Sequence, residues 1–250
     1  MGFVKFLGTA GARFVMIRQL RSSGGVWLNY KNTNLLIDPG PAALLRALRA
    51  RPKLNPEKLS GVILTHKHID HSNDVNIIVE AMTEGGFKKR GMLFAPRDCW
   101  RKGGVIFDYI KDLPQRGVFL KKGEFQVGDI HFEVPCRLDH QVETYGLKFV
   151  FPHLSIGLVS DTAYFKRLAD CFRSDILIIN VVFREKREEI KHLSLPEAKD
   201  IILKVRPKKA ILTHFGMTIL RAKPHILEEN LRKETKLDIS FAYDGMKIEF

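Results

Sequence analysis

The 250-residue chain contains no run of ~18 or more apolar residues, so no membrane-spanning helix is expected. Its opening stretch, Met1 to Leu7, is apolar but too short for a secretory signal and has no cleavage pattern. Phe6 stands where a myristoylation motif needs Ser or Thr. Cysteine is scarce: Cys99, Cys136 and Cys171 are far apart in sequence and form no CxxC pair. This argues against a disulfide framework or thiolate metal site and predicts idle thiols in a reducing, cytoplasmic setting. The loop Gly8-Thr9-Ala10-Gly11-Ala12 lacks the Gly-Lys-Ser/Thr ending of a phosphate loop. Acidic residues are outnumbered 28 to 41 by Lys and Arg, giving a net charge of +13. Basic clusters lie at Lys88-Lys89-Arg90, Arg97, Arg101-Lys102, Lys121-Lys122 and Lys204 to Lys209. A solvated Lys/Glu-rich surface is one reading of this excess. An anionic partner, such as RNA or a nucleotide phosphodiester, is the reading the imbalance favours. Oligomeric state is not encoded in any motif; a homodimer is compatible with the chain.

Against these absences, the chain is 45% hydrophobic with 17 Phe, ample for a packed core. Its densest chemistry is Thr65-His66-Lys67-His68-Ile69-Asp70-His71. The apolar run Gly61 to Leu64 before it reads as a buried strand. Ser72-Asn73-Asp74 after it reads as the N-cap of a helix carrying Val75, Ile77, Ile78, Val79 and Met82. Three imidazoles and a carboxylate are thus placed in a tight loop at a strand's carboxyl end, where ligand sites of layered α/β folds collect. They form the donor set of zinc and similar divalent ions, and an apolar core has little use for them.

The remaining elements follow hydrophobic period and turn residues. Strands are expected at Val4–Leu7, Val26–Tyr30, Leu35–Ile37, Met92–Ala95, Phe125–Val127, Ile130–Val134, Tyr145–Phe151, Leu154–Val159, Ile176–Val182 and Ala210–Thr213. Helices are expected at Pro41–Ala50, with Leu44, Leu45 and Leu48 on one face, and at Leu195–Val205 and Pro224–Glu234. Leu237–Tyr243 and Met246–Phe250 are expected to pair as a closing hairpin. Residues 83–91 and 98–117 carry no assignable period. Two portions, about 1–122 and 123–250, echo one another: each has an aspartate at a strand end (Asp38, Asp161), then a strand ending Thr-His (Thr65-His66, Thr213-His214). A single domain of two similar halves, sheet packed on sheet with helices outside, is the expectation.

Further donors stand at expected strand ends: His140, Asp161 and His214. With His66, His68, Asp70 and His71 they make five histidines and two aspartates, enough for two metals sharing one carboxylate. Asp38 is read as a supporting residue, and His131, His153 and His225 as surface residues.

The ordered pattern His66-x-His68-x-Asp70-His71, His140, Ser160-Asp161-Thr162, Thr213-His214 resembles the signature of the metallo-β-lactamase fold hydrolases over nearly the whole chain. Phe6-Leu7-Gly8-Thr9-Ala10, Leu36-Ile37-Asp38-Pro39-Gly40, His140 to Gly146 and His192-Leu193-Ser194 resemble the ribonuclease Z and phosphodiesterase branch. That resemblance implies a four-layer αβ/βα sandwich of two mixed β-sheets with helices outside, in the α/β class. It implies His66, His68 and His140 on one metal, Asp70, His71 and His214 on the other, and Asp161 between them. The two ions, zinc by preference with manganese or iron as alternatives, would activate a shared hydroxide. Asp70 would accept its proton, and His192 would stand by the scissile phosphate. Two departures from ribonuclease Z are present. Asp74 occupies a usual Gly position, and no long Gly/Pro-rich, tRNA-clamping insertion separates His71 from His140. The reading that follows is a phosphodiesterase acting on RNA or a small nucleotide diester. A lactone, ester or thioester hydrolase is the alternative, with Tyr164 at a position resembling that of a carbonyl-polarising tyrosine. A nucleic-acid-binding protein with a non-catalytic metal site is a third.

Overall fold

Two seven-stranded mixed sheets form the centre of the molecule, seen in a computed structural model that describes the main chain of residues 1–250 and the side chains of residues 1–11 and 13–250. The first sheet draws on β1 (Gly2–Phe6), then, past α1 (Ala12–Ile17), β2 (Val26–Tyr30) and β3 (Thr33–Ile37). After α2 (Ala43–Arg49) come β4 (Gly61–Ile63), α3 (Ile69–Ser72), α4 (Val75–Met82), β5 (Met92–Ala95), α5 (Arg97–Trp100) and β6 (Arg116–Phe119). The second sheet begins with β7 (Gly123–Val127), β8 (Ile130–Val134), β9 (Leu147–Val150) and β10 (Ser155–Val159). Then follow α6 (Leu168–Cys171), β11 (Ile176–Asn180), α7 (Leu195–Val205), β12 (Lys209–Thr213), α8 (Met217–Arg221), α9 (Pro224–Thr235), β13 (Ile239–Phe241) and β14 (Lys247–Glu249). The strand orders are β14-β1-β2-β3-β4-β5-β6 and β13-β12-β11-β10-β9-β8-β7.

Side-chain pattern explains the layering. In β8, Ile130, Phe132 and Val134 point inward while His131 is exposed, the period of a half-solvated antiparallel strand. β11 and β12 are parallel and almost wholly buried, as their continuous apolar runs require. Phe6, Leu28, Ile63 and Phe94 of the first sheet meet Phe132, Phe149, Ile156 and Ile178 of the second in one apolar layer. A second cluster lies between the second sheet and α6, α7 and α9. A third lies between the first sheet and α2 and α4. Helix, sheet, sheet, helix is the four-layer α/β sandwich that the resemblance implied.

Four local expectations are corrected. The tail does not form a hairpin. β13 pairs parallel to β12, whereas β14 crosses over and pairs antiparallel to β1. Asp244 in the link holds that crossover: its carboxylate accepts from Thr9 N–H (2.9 Å), the Thr9 hydroxyl (2.8 Å), Ser22 N–H (2.7 Å) and Arg46 (2.9 Å). In α2 the buried positions are Ala43 and Ala47, while Leu45 and Leu48 are exposed, because small residues let the helix lie close to the sheet. Asp74 does not cap α4 with its side chain; its carboxylate accepts instead from Leu44 N–H (3.2 Å) and Asn73 (2.9 Å). Finally, α1 and β6 lie in stretches with no expected element. Both are largely exposed, so neither carries the apolar period that reveals an element.

Parallel pairing aligns the carboxyl ends of β3, β4, β10 and β12, and Asp38, Thr65, Asp161 and His214 lie at or just beyond those ends. Close approach of backbone completes the seam. A Cβ on Gly11 would overlap the His214 carbonyl, and one on Gly40 would overlap the Asp70 carbonyl, so only glycine fits either place.

Candidate metal centre

The geometry begins with Asp38, whose left-handed backbone (φ 52°) turns its buried carboxylate toward β4. Its Oδ1 accepts Thr65 N–H at 2.7 Å; its Oδ2 accepts the Thr65 hydroxyl at 2.7 Å and His71 Nδ1–H at 2.9 Å. Having donated its proton, the Thr65 hydroxyl must accept from His66 Nδ1–H (3.0 Å) and from the Ser160 hydroxyl (2.8 Å). The Lys191 carbonyl accepts His140 Nδ1–H at 2.9 Å. Three tautomers are therefore set by partners that can only accept, and His66, His71 and His140 each present a bare Nε2 lone pair.

Those lone pairs converge. Asp161 Oδ2 lies 3.8 Å from His66 Nε2, 3.4 Å from His71 Nε2, 3.3 Å from His214 Nε2 and 3.5 Å from His192 Nδ1. Its other oxygen accepts Asn180 Nδ2–H at 2.9 Å, which fixes the carboxylate plane. Asp70 Oδ2 is 3.6 Å from His214 Nε2 and 3.8 Å from His71 Nε2. His68 Nδ1 faces His140 Nε2 at 3.1 Å. Among the described residues, His66 Nε2, His71 Nε2, His192 Nδ1 and His214 Nε2 are buried without a hydrogen-bond partner. Leaving four such nitrogens unsatisfied is costly, and cations among them would remove the cost. Donor atoms lie within 4.8 Å of one another in four groups: His66, His68 and His140; Asp70, His71 and His214; His140, Asp161 and His192; and Asp38, His66 and His71. The last is the weakest candidate, because the Asp38 oxygens are already hydrogen-bonded. The residues present thus fit divalent metal ions, as nitrogen–carboxylate donor sets do.

Electrostatics agree with the crowding. Burial holds His66 well below the ordinary imidazole pKa, lowers His68 and His192, and brings His140 to about 4. His71 moves the other way: burial opposes its charge, but Asp161, Asp70 and Asp38 together outweigh burial and raise it. Burial also disfavours the Asp161 carboxylate, yet the imidazoles of His214, His192 and His71 hold it ionised, well below the usual range.

Every residue expected at the centre is brought to it: His66, His68, Asp70, His71, His140, Asp161 and His214, with His192 against Asp161. His131, His153 and His225 are exposed, as expected. Tyr164 is not at the centre. Its hydroxyl donates to Asp200 (2.6 Å) and accepts from Lys204 (2.8 Å) on α7, on the outer face of the second sheet. The three cysteines are free, and burial pushes the Cys99 and Cys136 thiols up, which makes them poor nucleophiles. Asn180 is a site residue that sequence reasoning missed. A single amide inside the apolar run Ile176 to Val182 was the available signal.

The centre opens into a cleft of about 640 Å³. His68, Asp70, Asp161 and His192 form its floor; Arg13, Phe14 and Met16 of α1 line one side, and Phe183, Arg187 and Ile190 another.

A buried His/Asp cluster at the seam of a two-sheet sandwich, open to a cleft, is the site of a metal-dependent hydrolase of the metallo-β-lactamase type. The chain belongs to that superfamily: residues 33–215 match the beta-lactamase superfamily domain. It is 28% identical over 253 residues to an uncharacterised protein of Methanocaldococcus jannaschii, covering 98% of this chain and 93% of that one. It is 24% identical to a ribonuclease Z of Borrelia garinii subsp. bavariensis, covering 100% of this chain and 97% of that one. Among solved structures it resembles the metallo-β-lactamase fold protein YhfI from Bacillus subtilis (TM-score 0.82, 18% identity, 100% and 99% of the two chains). It also resembles a diphosphatase of the PhnP family (TM-score 0.75, 21% identity, 100% and 97% coverage).

Proposed function

We propose that the chain is a metal-dependent phosphodiesterase with two adjacent divalent ions. Zinc is favoured by the histidine-rich donors, and manganese or iron fit nearly as well. The observation that carries this reading is the convergence of partnerless buried imidazole nitrogens on Asp161 Oδ2. His66, His68 and His140 would hold one ion and Asp70, His71 and His214 the other, with Asp161 available to both groups. When bound, such ions acidify water and offset charge on a phosphoryl oxygen.

The chain's own residues do the positioning. Asp38, Thr65 and the Lys191 carbonyl fix three imidazole tautomers before any ligand arrives. Asn180 sets the Asp161 carboxylate plane. Asp70, whose Oδ2 faces His71 and His214, accepts the proton of the attacking water. His192 lines the cleft against Asp161 and steadies the phosphate through its ring N–H. The apolar seam beneath the site keeps bulk water out, which strengthens each of these interactions. Phosphoryl rather than carbonyl chemistry is supported by two arginines lining the cleft and by the engagement of Tyr164 elsewhere. The likeness to a ribonuclease Z and a diphosphatase points the same way. Free thiols fit a cytoplasmic setting.

The test is hydrolysis of bis(p-nitrophenyl) phosphate against a lactone and thioester panel, with metal-loaded protein and a His68→Ala control. Metal-dependent diester cleavage that disappears in the control is expected. Lactone or thioester turnover without diester cleavage overturns the phosphodiesterase. A metal-loaded protein inert on all substrates, binding RNA equally well after chelation, would instead be a nucleic-acid-binding module.

A further inference from the structure

The cleft walls carry information that the metal-site residues do not. Arg13 and Arg187 both line the cleft, and among the described residues neither has a carboxylate partner. Arg13 lies close enough to His68 to disfavour its protonation. The Arg187 guanidinium lies over the Phe183 ring at 5.1 Å, and Phe183 packs edge-on against His192, with ring centroids 6.2 Å apart. Two guanidiniums without a carboxylate on one cleft are a ready anion site. Between them the walls are apolar and unusually bare. Phe14 and Ile69 are 63% and 60% exposed, Ile190 is exposed, and Phe183 is half-buried. Large apolar side chains gathered at the mouth of a polar site mark a surface that is covered when ligand binds.

Resting on the phosphodiesterase reading, we infer that α1 and the segment 183–190 form a recognition clamp for a phosphodiester of nucleotide size. Phe14, Ile69 and Phe183 take its flat apolar group, and Arg13 and Arg187 take a second anionic group beyond the reacting phosphate. Three features point to a small substrate rather than a folded RNA. A volume of about 640 Å³ accommodates a nucleotide or dinucleotide. Three exposed apolar side chains, Phe14, Ile69 and Ile190, gather at the cleft mouth, enough to cover one flat group. Finally, two of the basic clusters, Lys88-Lys89-Arg90 before β5 and Lys208-Lys209 leading into β12, lie at the opposite ends of the strands from the site, while Arg97 and Arg101-Lys102 follow β5 without lining the cleft. The cleft lining has few base-edge donors or acceptors, Gln141 and Thr218 among them, so discrimination between bases is weak.

Three p-nitrophenyl phosphodiesters separate the parts of this clamp: the methyl ester, the thymidine 5′ ester, and the thymidine 5′ ester carrying a 3′-phosphate. In the unaltered protein kcat/KM rises about tenfold at each step, one step for the stacked group and one for the second anion. Phe14→Ala collapses the first ratio toward one, and the pair Arg13→Gln with Arg187→Gln collapses the second. Both alter exposed side chains, so circular dichroism and bound-metal content report that the fold and centre persist. Calorimetric binding of thymidine 3′,5′-bisphosphate supplies a readout independent of turnover: the arginine pair weakens it about tenfold or more. Flat ratios across the three esters, or ratios unmoved by the variants, overturn the clamp while leaving the phosphodiesterase standing. A single-stranded or structured RNA cleaved with far higher kcat/KM than the thymidine bisphosphate ester also overturns it. Silence on all three esters is failure of the phosphodiesterase reading itself.

Discussion

The floor and the mouth of the cleft are built on opposite principles. On the floor four of the seven candidate ligands are aimed by named partners: Asp38 holds Thr65 and His71, Thr65 holds His66, Lys191 holds His140, and Asn180 holds Asp161. At the mouth, Arg13, Phe14, Ile69 and Arg187 are exposed. A floor of this kind serves one chemistry with any substrate, because its atoms are aimed before ligand binds. A mouth of this kind selects among substrates, because its side chains gain their partners only from the ligand. Damage to the floor should therefore abolish turnover of all substrates alike, and damage to the mouth should redistribute it.

The largest effect is expected from Asp161→Asn. The amide cannot replace the charge that faces His66, His71, His192 and His214. Metal content should fall and diester hydrolysis should drop by more than about a hundredfold, equally for every ester. A variant that kept its metal but lost activity on bulky esters alone would place Asp161 with the mouth. One step out, Asp38→Ala removes the acceptor that sets His71 directly and His66 through Thr65. Metal affinity measured by chelator competition should weaken about 10- to 100-fold. Asn180→Ala, which frees only one Asp161 oxygen, should weaken it less. If Asn180→Ala cost more than Asp38→Ala, the order of support drawn from the hydrogen bonds would be wrong.

Acid sharpens the same contrast in metal-free protein. Burial lowers His66, His68, His140 and His192, so above the ordinary imidazole pKa of 6.5 they are neutral in both folded and unfolded chains. Between 6.5 and about 4, the folded value for His140, the unfolded chain binds protons that the folded one refuses. Stability from these groups is therefore fully present above 6.5 and lost as pH falls toward 4. His140 alone contributes at most about 3 kcal/mol, enough for a fall in Tm of about 5–10 °C. His71, raised by Asp161, Asp70 and Asp38, works in the opposite sense: its stabilising contribution is full below 6.5 and fades as pH rises through its folded value. Below 6.5 His71 contributes no further change, so a chelator-treated protein whose Tm is flat or rises from pH 6.5 to pH 4.5 would overturn the lowered values of the other four.

The floor was legible in the sequence because it is built from rare residues at strand ends. Four donors in the six residues from His66 to His71 leave few structural explanations, and Asp161 and His214 each follow an apolar run, whereas His140, after Arg137-Leu138-Asp139, is legible only through the ordered pattern. The central strands were legible for the same reason, being continuous apolar runs that nothing but a buried position tolerates. The mouth was not. α1 buries Val15 but leaves Arg13, Phe14 and Ile17 exposed, so its pattern has no amphipathic period, and its role depends on what stands across the cleft. The closing strands failed for a related reason. Ile239 to Phe241 and Lys247 to Glu249 have the pattern and spacing of a hairpin, and only the carboxylate of Asp244 among Thr9, Ser22 and Arg46 sends them to different sheets. Local pattern reports burial; it does not report which distant partner supplies it.

The smallest effect tests a residue that belongs to neither region. Tyr164 closely follows Asp161 in sequence and would be a natural candidate to polarise a substrate carbonyl, yet it packs against the outer cluster with its hydroxyl between Asp200 and Lys204. Tyr164→Phe removes one hydroxyl from a half-exposed ion pair and nothing from the cleft. The expected cost is about 1 kcal/mol of stability, read as a small fall in Tm, with less than about a threefold change in kcat/KM on any ester. The Asp200–Lys204 pair, at 2.7 Å, persists without the phenol and limits even that loss. A large fall in turnover specific to lactones or thioesters would require the tyrosine to leave this anchor and reach the cleft. That result would replace phosphoryl with carbonyl chemistry as the work of the centre.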